Sequence, residues 1–190
     1  MKNKGNAKSD YSKKQILAAL INNMQTKEFE KISIKEIVEE AEVSRKTFYR
    51  NFDSKVEVLL LEVDTIFQSY ISRLNAAEDL SFENIVLLVF TTAEEHVFFI
   101  ELLVRNKLLY LLTDRLYEEL NVILRVKRAG IFHQFGEIAV ANTLIFSFGG
   151  FEKYIITWIK ETPRKTPRQV QADFQEITKI LVATMTESKP

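Results

Sequence analysis

Apolar residues recur along this chain at helical spacing, and no regular alternation of apolar and polar positions runs through it. Ile16, Leu17, Leu20, Ile21 and Met24 make one face of a first helix, which the pattern starts near Ser12 and stops around Thr26–Phe29. Ile34, Ile37, Val38 and Ala41 are the stripe of a very short second helix. Ser33 and Glu36 have the spacing of a capping box at its start. Ser44 then offers a fresh N-cap for the segment Arg45–Asn51, which is too short to be stable alone and needs Val43, Phe48 and Phe52 as anchors. A fourth helix, capped by Asp53 or Ser54, keeps its period through Val56, Leu59, Leu60, Val63, Phe67, Tyr70, Ile71 and Leu74, to an end near Ala77. Beyond Ser81 the spacing predicts helices over 81–93, 95–105, 107–129 and 135–161. Thr166, Pro167 and Gln169 mark a last start: an N-cap, a proline at the first helical position and the far member of a capping box. The final helix carries Val170, Phe174, Ile177, Ile180 and Leu181. The expected fold class is all-α.

Composition supports this reading. Glycine (5) and proline (3) are too scarce to break long helices, and 46% hydrophobic with 27% charged residues is a globular balance. The chain has no cysteine, which excludes disulfides and thiolate metal sites and fits a reducing cytoplasm. Residues 1–9 are basic and polar with no apolar core behind them, so they do not read as a secretory signal. The longest uncharged run, Ile138 to Phe151, falls short of the roughly 20 residues a membrane span needs and reads as a buried helix. Two isolated histidines, His96 and His133, make no metal set. No nucleophile elbow, phosphate loop or dinucleotide fingerprint is present, so neither an enzyme nor a cofactor is expected.

Net charge is zero but unevenly spread. Residues 1–55 hold 12 basic and 8 acidic side chains, and the remainder holds 14 and 18. A basic quarter on an acidic body points to a polyanion at one end. The segment from Ser33 to Phe52 supplies a means of reading one. It pairs two short helices across a tight connection, and the second displays Arg45, Lys46, Thr47, Tyr49 and Arg50. An α-helix fits the major groove of DNA, where Arg and Lys donate to guanine and hydroxyls reach phosphates. Backbone N–H groups at the helix starts Ser33 and Ser44 also attract phosphate.

The stretch Val43–Lys55 (VSRKTFYRNFDSK) resembles the signature of TetR/AcrR-family transcriptional regulators, and the likeness extends over about residues 12–60. It implies a flexible basic arm over 1–10, a helix-turn-helix domain over 11–55 and a helical dimerisation and ligand-binding domain over 56–190. It also implies base contacts from Arg45 and Lys46, phosphate or base contacts from Thr47 and Tyr49, and backbone contacts from Lys55 and Ser33. Lys35 reaches toward a base from the same helix as Ser33. Three positions depart from the family pattern. Glu42 stands where glycine is common in the turn, so it either tolerates positive φ at about 1 kcal/mol or the turn differs. Asn51 replaces a frequent histidine and could still donate to a phosphate. Lys46 replaces a small residue and adds charge.

The same resemblance implies that the last two long helices pair with those of a second copy. Ala139, Thr143, Ser147 and Gly150 form a small-residue strip there, with Ile145, Phe146, Phe148 and Ile156 supplying burial. Phe148–Phe151 (FGGF) with Trp158 is similar to a pattern in one branch of the family. The expected partners are double-stranded DNA, a second copy of the chain and a small apolar or aromatic ligand, with no membrane. Aromatic and polar residues at helical spacing suggest the ligand pocket: Phe99, Leu103, Tyr110, Tyr117, His133, Asn142, Phe146, Tyr154 and Trp158. Release of a palindromic operator by that ligand is the implied mechanism. The alternative is a module of the same fold that acts through a partner regulator, against which the basic reading face argues.

Overall fold

The computed structural model describes residues 4–127 and 129–186. These form ten α-helices and one 3-10 turn: α1 (Lys4–Thr26), the turn Phe29–Lys31, α2 (Ile34–Glu40), α3 (Arg45–Asn51), α4 (Lys55–Ala76), α5 (Phe82–Glu95), α6 (Val97–Arg105), α7 (Tyr110–Lys127), α8 (Ala129–Phe135), α9 (Glu137–Lys160) and α10 (Pro167–Thr186). No strand occurs among the described residues. The expected all-α class is therefore observed.

The caps do what their spacing predicts. Ser33 and Glu36 form a complete capping box. The Thr166 hydroxyl accepts from Gln169 N–H while the Gln169 amide oxygen accepts from Thr166 N–H at 2.8 Å. At α4 the cap is Ser54, not Asp53, and the Glu57 carboxylate reaches one residue further back, to Asp53 N–H at 2.6 Å.

Three expectations differ. Helix α1 begins at Lys4, so residues 4–10 are helical rather than a flexible arm. The Ser9 hydroxyl donates to the Asn51 side chain at 2.7 Å and ties this extension to α3. The break after α6 is wider than periodicity suggests, because Lys107 takes a φ of 59° and α7 starts only at Tyr110. Residues 130–134, expected between helices, lie within α8. Its seven residues are too few to hold a helix alone. Half-buried Ile131 and Phe132 pack it, and the Arg125 guanidinium lies 4.8 Å over the Phe132 ring while pairing with Glu137. Gly136, at φ 81°, makes the turn into α9 that an L side chain would resist.

α1, α2 and α3 pack against one another and α1 packs on α4; α5 and α7 also pack on α4, with α10 on α5 and with α6 and α8 packed against α9. One hydrophobic cluster runs from Ile16 on α1 to Phe174 on α10. Its far end is an aromatic knot in which Phe90 meets Tyr154, Trp158 and Phe174 at centroid distances of 5.7, 5.3 and 6.1 Å. Trp158 is fully buried and donates from its indole nitrogen to Lys165 C=O at 2.7 Å. Asp173 accepts from Tyr154 and pairs with Lys165, and these partners hold its carboxyl below the usual range although burial alone would raise it.

The buried helix expected over 138–151 is buried only in part. Val140 faces the core, but Ile138 is 79% exposed, Ile145 59% and Phe146 73%, and a side chain added at Gly149 or Gly150 would meet nothing within 4 Å. Ile180 and Leu181 on α10 are exposed as well. No helix among the described residues is long and apolar enough to cross a membrane.

Candidate nucleic-acid interface

α3 is built around one ring. Phe48 is fully buried, edge-on to Tyr49 at 5.4 Å and tilted against Phe52 at 5.9 Å, and it fixes which side of the helix faces outward. The Ser44 hydroxyl caps the helix by accepting from Thr47 N–H at 3.1 Å and lies 3.0 Å from the Thr47 hydroxyl. Arg45, Lys46 and Arg50 are exposed with Tyr49, which is 57% accessible. None of the three cations has an acidic partner among the described residues.

The neighbouring helix is handled in the opposite way. α2 carries Glu36, Glu39 and Glu40, and all three are engaged: Glu36 by Lys27, Glu39 by Lys35 at 3.7 Å and Glu40 by the Asn23 amide. The Lys27 ammonium, then the Ser33 N–H and hydroxyl, hold the Glu36 carboxyl at about 2, far below its ordinary value. Lysines thus offset Glu36 and Glu39, the Asn23 amide leaves the Glu40 charge in place, and the cations of α3 stand apart from these pairs. Seven residues span about 10 Å, a length that lies within a major groove about 12 Å wide.

The turn between α2 and α3 settles the question raised by Glu42. Its φ is 52°, so a non-glycine residue does occupy the left-handed position. The turn is closed by Val43 N–H donating to Val38 C=O at 3.0 Å.

Some of the expected DNA-facing residues are otherwise employed. The Lys55 ammonium turns inward and donates to the carbonyls of Phe29 (2.8 Å) and Ile32 (2.6 Å), with Glu30 C=O at 3.5 Å and the Phe29 ring 4.6 Å below it. Burial lowers its pKa against the pull of Glu30 and Glu36. Lys55 therefore serves as an internal clamp on the Phe29–Lys31 turn. Asn51 is also committed, donating to Thr47 C=O at 2.7 Å and accepting from Ser9. The Ser33 hydroxyl donates to Glu36 at 2.8 Å. Lys35 is exposed and only loosely paired.

The residues expected to line a ligand pocket do not come together. Phe99, Leu103 and Trp158 are core, and Tyr154 is held by Asp173. His133, Asn142 and Phe146 face outward. Tyr117 packs edge-on to Phe148 at 5.4 Å, and half-exposed Tyr110 borders an open groove between α6 and α9. The enclosed space lies elsewhere, between α4, α5, α7 and α9.

A second set of contacts was invisible to the sequence. Asn106, at the end of α6, accepts from Phe29 N–H at 2.7 Å and donates to Leu102 C=O at 2.8 Å. Arg105 donates to Met24 C=O at the end of α1. Their partners lie about eighty residues away in the chain, and no local pattern marks such pairs.

Residues 16–62 match the family model for bacterial regulatory proteins of the tetR family. No curated protein is a significant sequence match to the chain. Among solved structures, a TetR transcriptional regulator from Streptococcus agalactiae 2603V is similar with a TM-score of 0.64, at 18% identity over 91% of this chain and 96% of that one. At that identity the likeness establishes the fold.

The strained turn gives a direct test. Glu42→Gly should stabilise the protein by about 1 kcal/mol in urea unfolding, by removing the left-handed penalty at an exposed position. A loss of stability would mean that the Glu42 side chain is doing something its exposure does not reveal.

Proposed function

We propose that the chain is a transcriptional regulator of the TetR family that binds a near-palindromic operator as a homodimer and is released by a small molecule. The observation that carries the DNA reading is the outward face of α3, where Arg45, Lys46 and Arg50 stand beside Tyr49 without acidic partners. Arg45 and Lys46, at the N-terminal end of α3, are the base-reading pair. Thr47, Tyr49 and Arg50 serve phosphates, as does the helix start at Ser44.

Dimerisation is supported by the apolar surface that the isolated chain leaves on its last two helices. Ile138, Ile145 and Phe146 on α9 and Ile180 and Leu181 on α10 are exposed, and Gly149 and Gly150 leave room for a helix to approach closely. A surface of this kind on a chain of this size is a binding face. A two-fold axis there would set two copies of α3 one helical turn of DNA apart, or a multiple of it.

Ligand control is supported by the way the reading head is held. The Phe29–Lys31 turn is gripped by Lys55 from α4 and by Asn106 from α6, and both helices also wall the enclosed space in the C-terminal domain. A molecule that fits that space better in a different α4–α6 arrangement shifts the equilibrium by its differential affinity, and α3 moves with the turn.

Fluorescence anisotropy against operator and random DNA over a range of salt tests the interface. Arg50→Ala should weaken both and lower the salt slope by about one. Arg45→Ala should relax preference at particular bases. Lys55→Ala should leave the salt slope unchanged and instead cost about 1.5–3 kcal/mol of fold stability. A lower slope for Lys55→Ala would restore it to the phosphate-contacting set. Phe146→Glu should weaken self-association by about 30-fold or more in sedimentation analysis, and operator affinity should fall with it. An intact dimer in that variant would move the interface away from α9. Asn106→Ala strands the Phe29 N–H and should weaken operator binding several-fold with the dimer intact. Unchanged binding would remove α6 from the mechanism.

A further inference from the structure

The two enclosed spaces of the C-terminal domain adjoin. The inner one, about 40 Å³, is walled by Phe67 and Tyr70 of α4, Thr92 of α5, Ile100 of α6 and Leu112 of α7. The outer one, about 310 Å³, is walled by Phe82 and Ile85 of α5, Leu120 of α7, Ile131 of α8 and Leu144 and Phe148 of α9. Val89, Thr113, Leu116 and Ile155 line both, so the spaces lie on either side of these four side chains and together make a crevice once those side chains move apart.

Among the described residues no charged side chain lines either end. Three threonine hydroxyls are turned back on their own helices, Thr92 to Leu88 C=O (2.9 Å), Thr113 to Tyr110 C=O (3.4 Å) and Thr143 to Ala139 C=O (2.9 Å). Tyr70 is different. It is 3% exposed, it borders the inner space, and its hydroxyl has no hydrogen-bond partner among the described residues. A buried donor left without an acceptor costs about 1–3 kcal/mol, and native structures rarely keep one without a use for it. Burial pushes its pKa up to about 12, so it stays protonated and can donate at any physiological pH.

We infer that this crevice binds a neutral lipophilic molecule bearing a single hydrogen-bond acceptor, with the acceptor meeting the Tyr70 hydroxyl at the inner end and the apolar body filling the outer end. This deepens the ligand-control reading and rests on it. The inner space suits one small polar group, since a water needs only about 10–15 Å³. The outer space is at the lower end of pockets that take drug-sized ligands, about 300–1,000 Å³. An ionised ligand is disfavoured, because no described wall residue repays its desolvation.

The test uses the full chain without DNA and follows displacement of the neutral dye N-phenyl-naphthylamine by three related compounds. Benzophenone has a carbonyl acceptor, diphenylmethane lacks it, and benzoylbenzoate adds a charge. The ketone should bind about 3–10-fold more tightly than the hydrocarbon, the gain of one neutral hydrogen bond, and the carboxylate at least about tenfold more weakly than the ketone. Tyr70→Phe should abolish the ketone's advantage, leave the hydrocarbon unchanged and leave the melting temperature equal or higher. Val89→Phe, which narrows the shared wall, should weaken both neutral compounds. Dye that does not bind, equal affinities for ketone and hydrocarbon in the parent chain (as when a water already serves Tyr70), or an advantage that survives Tyr70→Phe would each overturn the assignment. Operator release is scored separately: a bound ketone that leaves operator affinity unchanged counts against ligand-controlled release and leaves this site standing.

Discussion

The short turn from Phe29 to Lys31 is the joint from which the reading head hangs. The Phe29 carbonyl accepts from Ile32 N–H at 3.2 Å inside the turn, and carbonyls have a second lone pair to offer. Lys55 brings an ammonium to those of Phe29 and Ile32, and Asn106 takes the Phe29 N–H. Lys55 is the first residue of α4, and Asn106 closes α6. One three-residue segment therefore reports the positions of two helices that follow the helix-turn-helix in the chain. The shared core points the same way, since the apolar cluster that begins on α1 does not stop at the helix-turn-helix.

Electrostatic arrangement in this protein is a matter of who is paired. Zero net charge over the chain says nothing about α3, where three cations are open, or about α2, where three carboxylates are engaged by Lys27, Lys35 and Asn23. The carboxylates do structural work, as Glu36 does in the capping box, and two of the three have a lysine to offset them.

The legible part of the sequence was the part governed by local chemistry. Ser33, Ser44 and Ser54 cap where their spacing says, Thr166 and Gln169 form their box, and Phe48 is the anchor of α3. These depend on residues three or four apart. Features set by distant packing were not legible. α8 forms because Ile131 and Phe132 find neighbours, and α1 extends to Lys4, with Ser9 reaching Asn51 across forty-two positions. The aromatic residues chosen as pocket walls turned out to be core, as with Trp158, or surface, as with Phe146, because periodicity marks apolar faces without saying what they face. Tyr70 was read correctly as part of the apolar stripe of α4, yet its stranded hydroxyl depends on helices α5, α6 and α7 and has no trace in the sequence around it. Lys55 shows the converse: a residue whose motif position implies DNA is turned inward by carbonyls more than twenty residues away.

The single span of α4 also carries an arithmetic consequence. Tyr70 lies fifteen residues beyond Lys55 on one continuous helix, an arm of about 22 Å at 1.5 Å per residue. A rigid rod that pivots by about three degrees at its Tyr70 end sweeps its far end through about 1 Å, roughly a third of a hydrogen-bond length. Such a sweep is small beside the motion of a loop, yet it is enough to spoil contacts between α3 and a groove whose geometry does not yield. Under the proposed ligand control, the length of one helix sets how far α3 moves, and no hinge is needed.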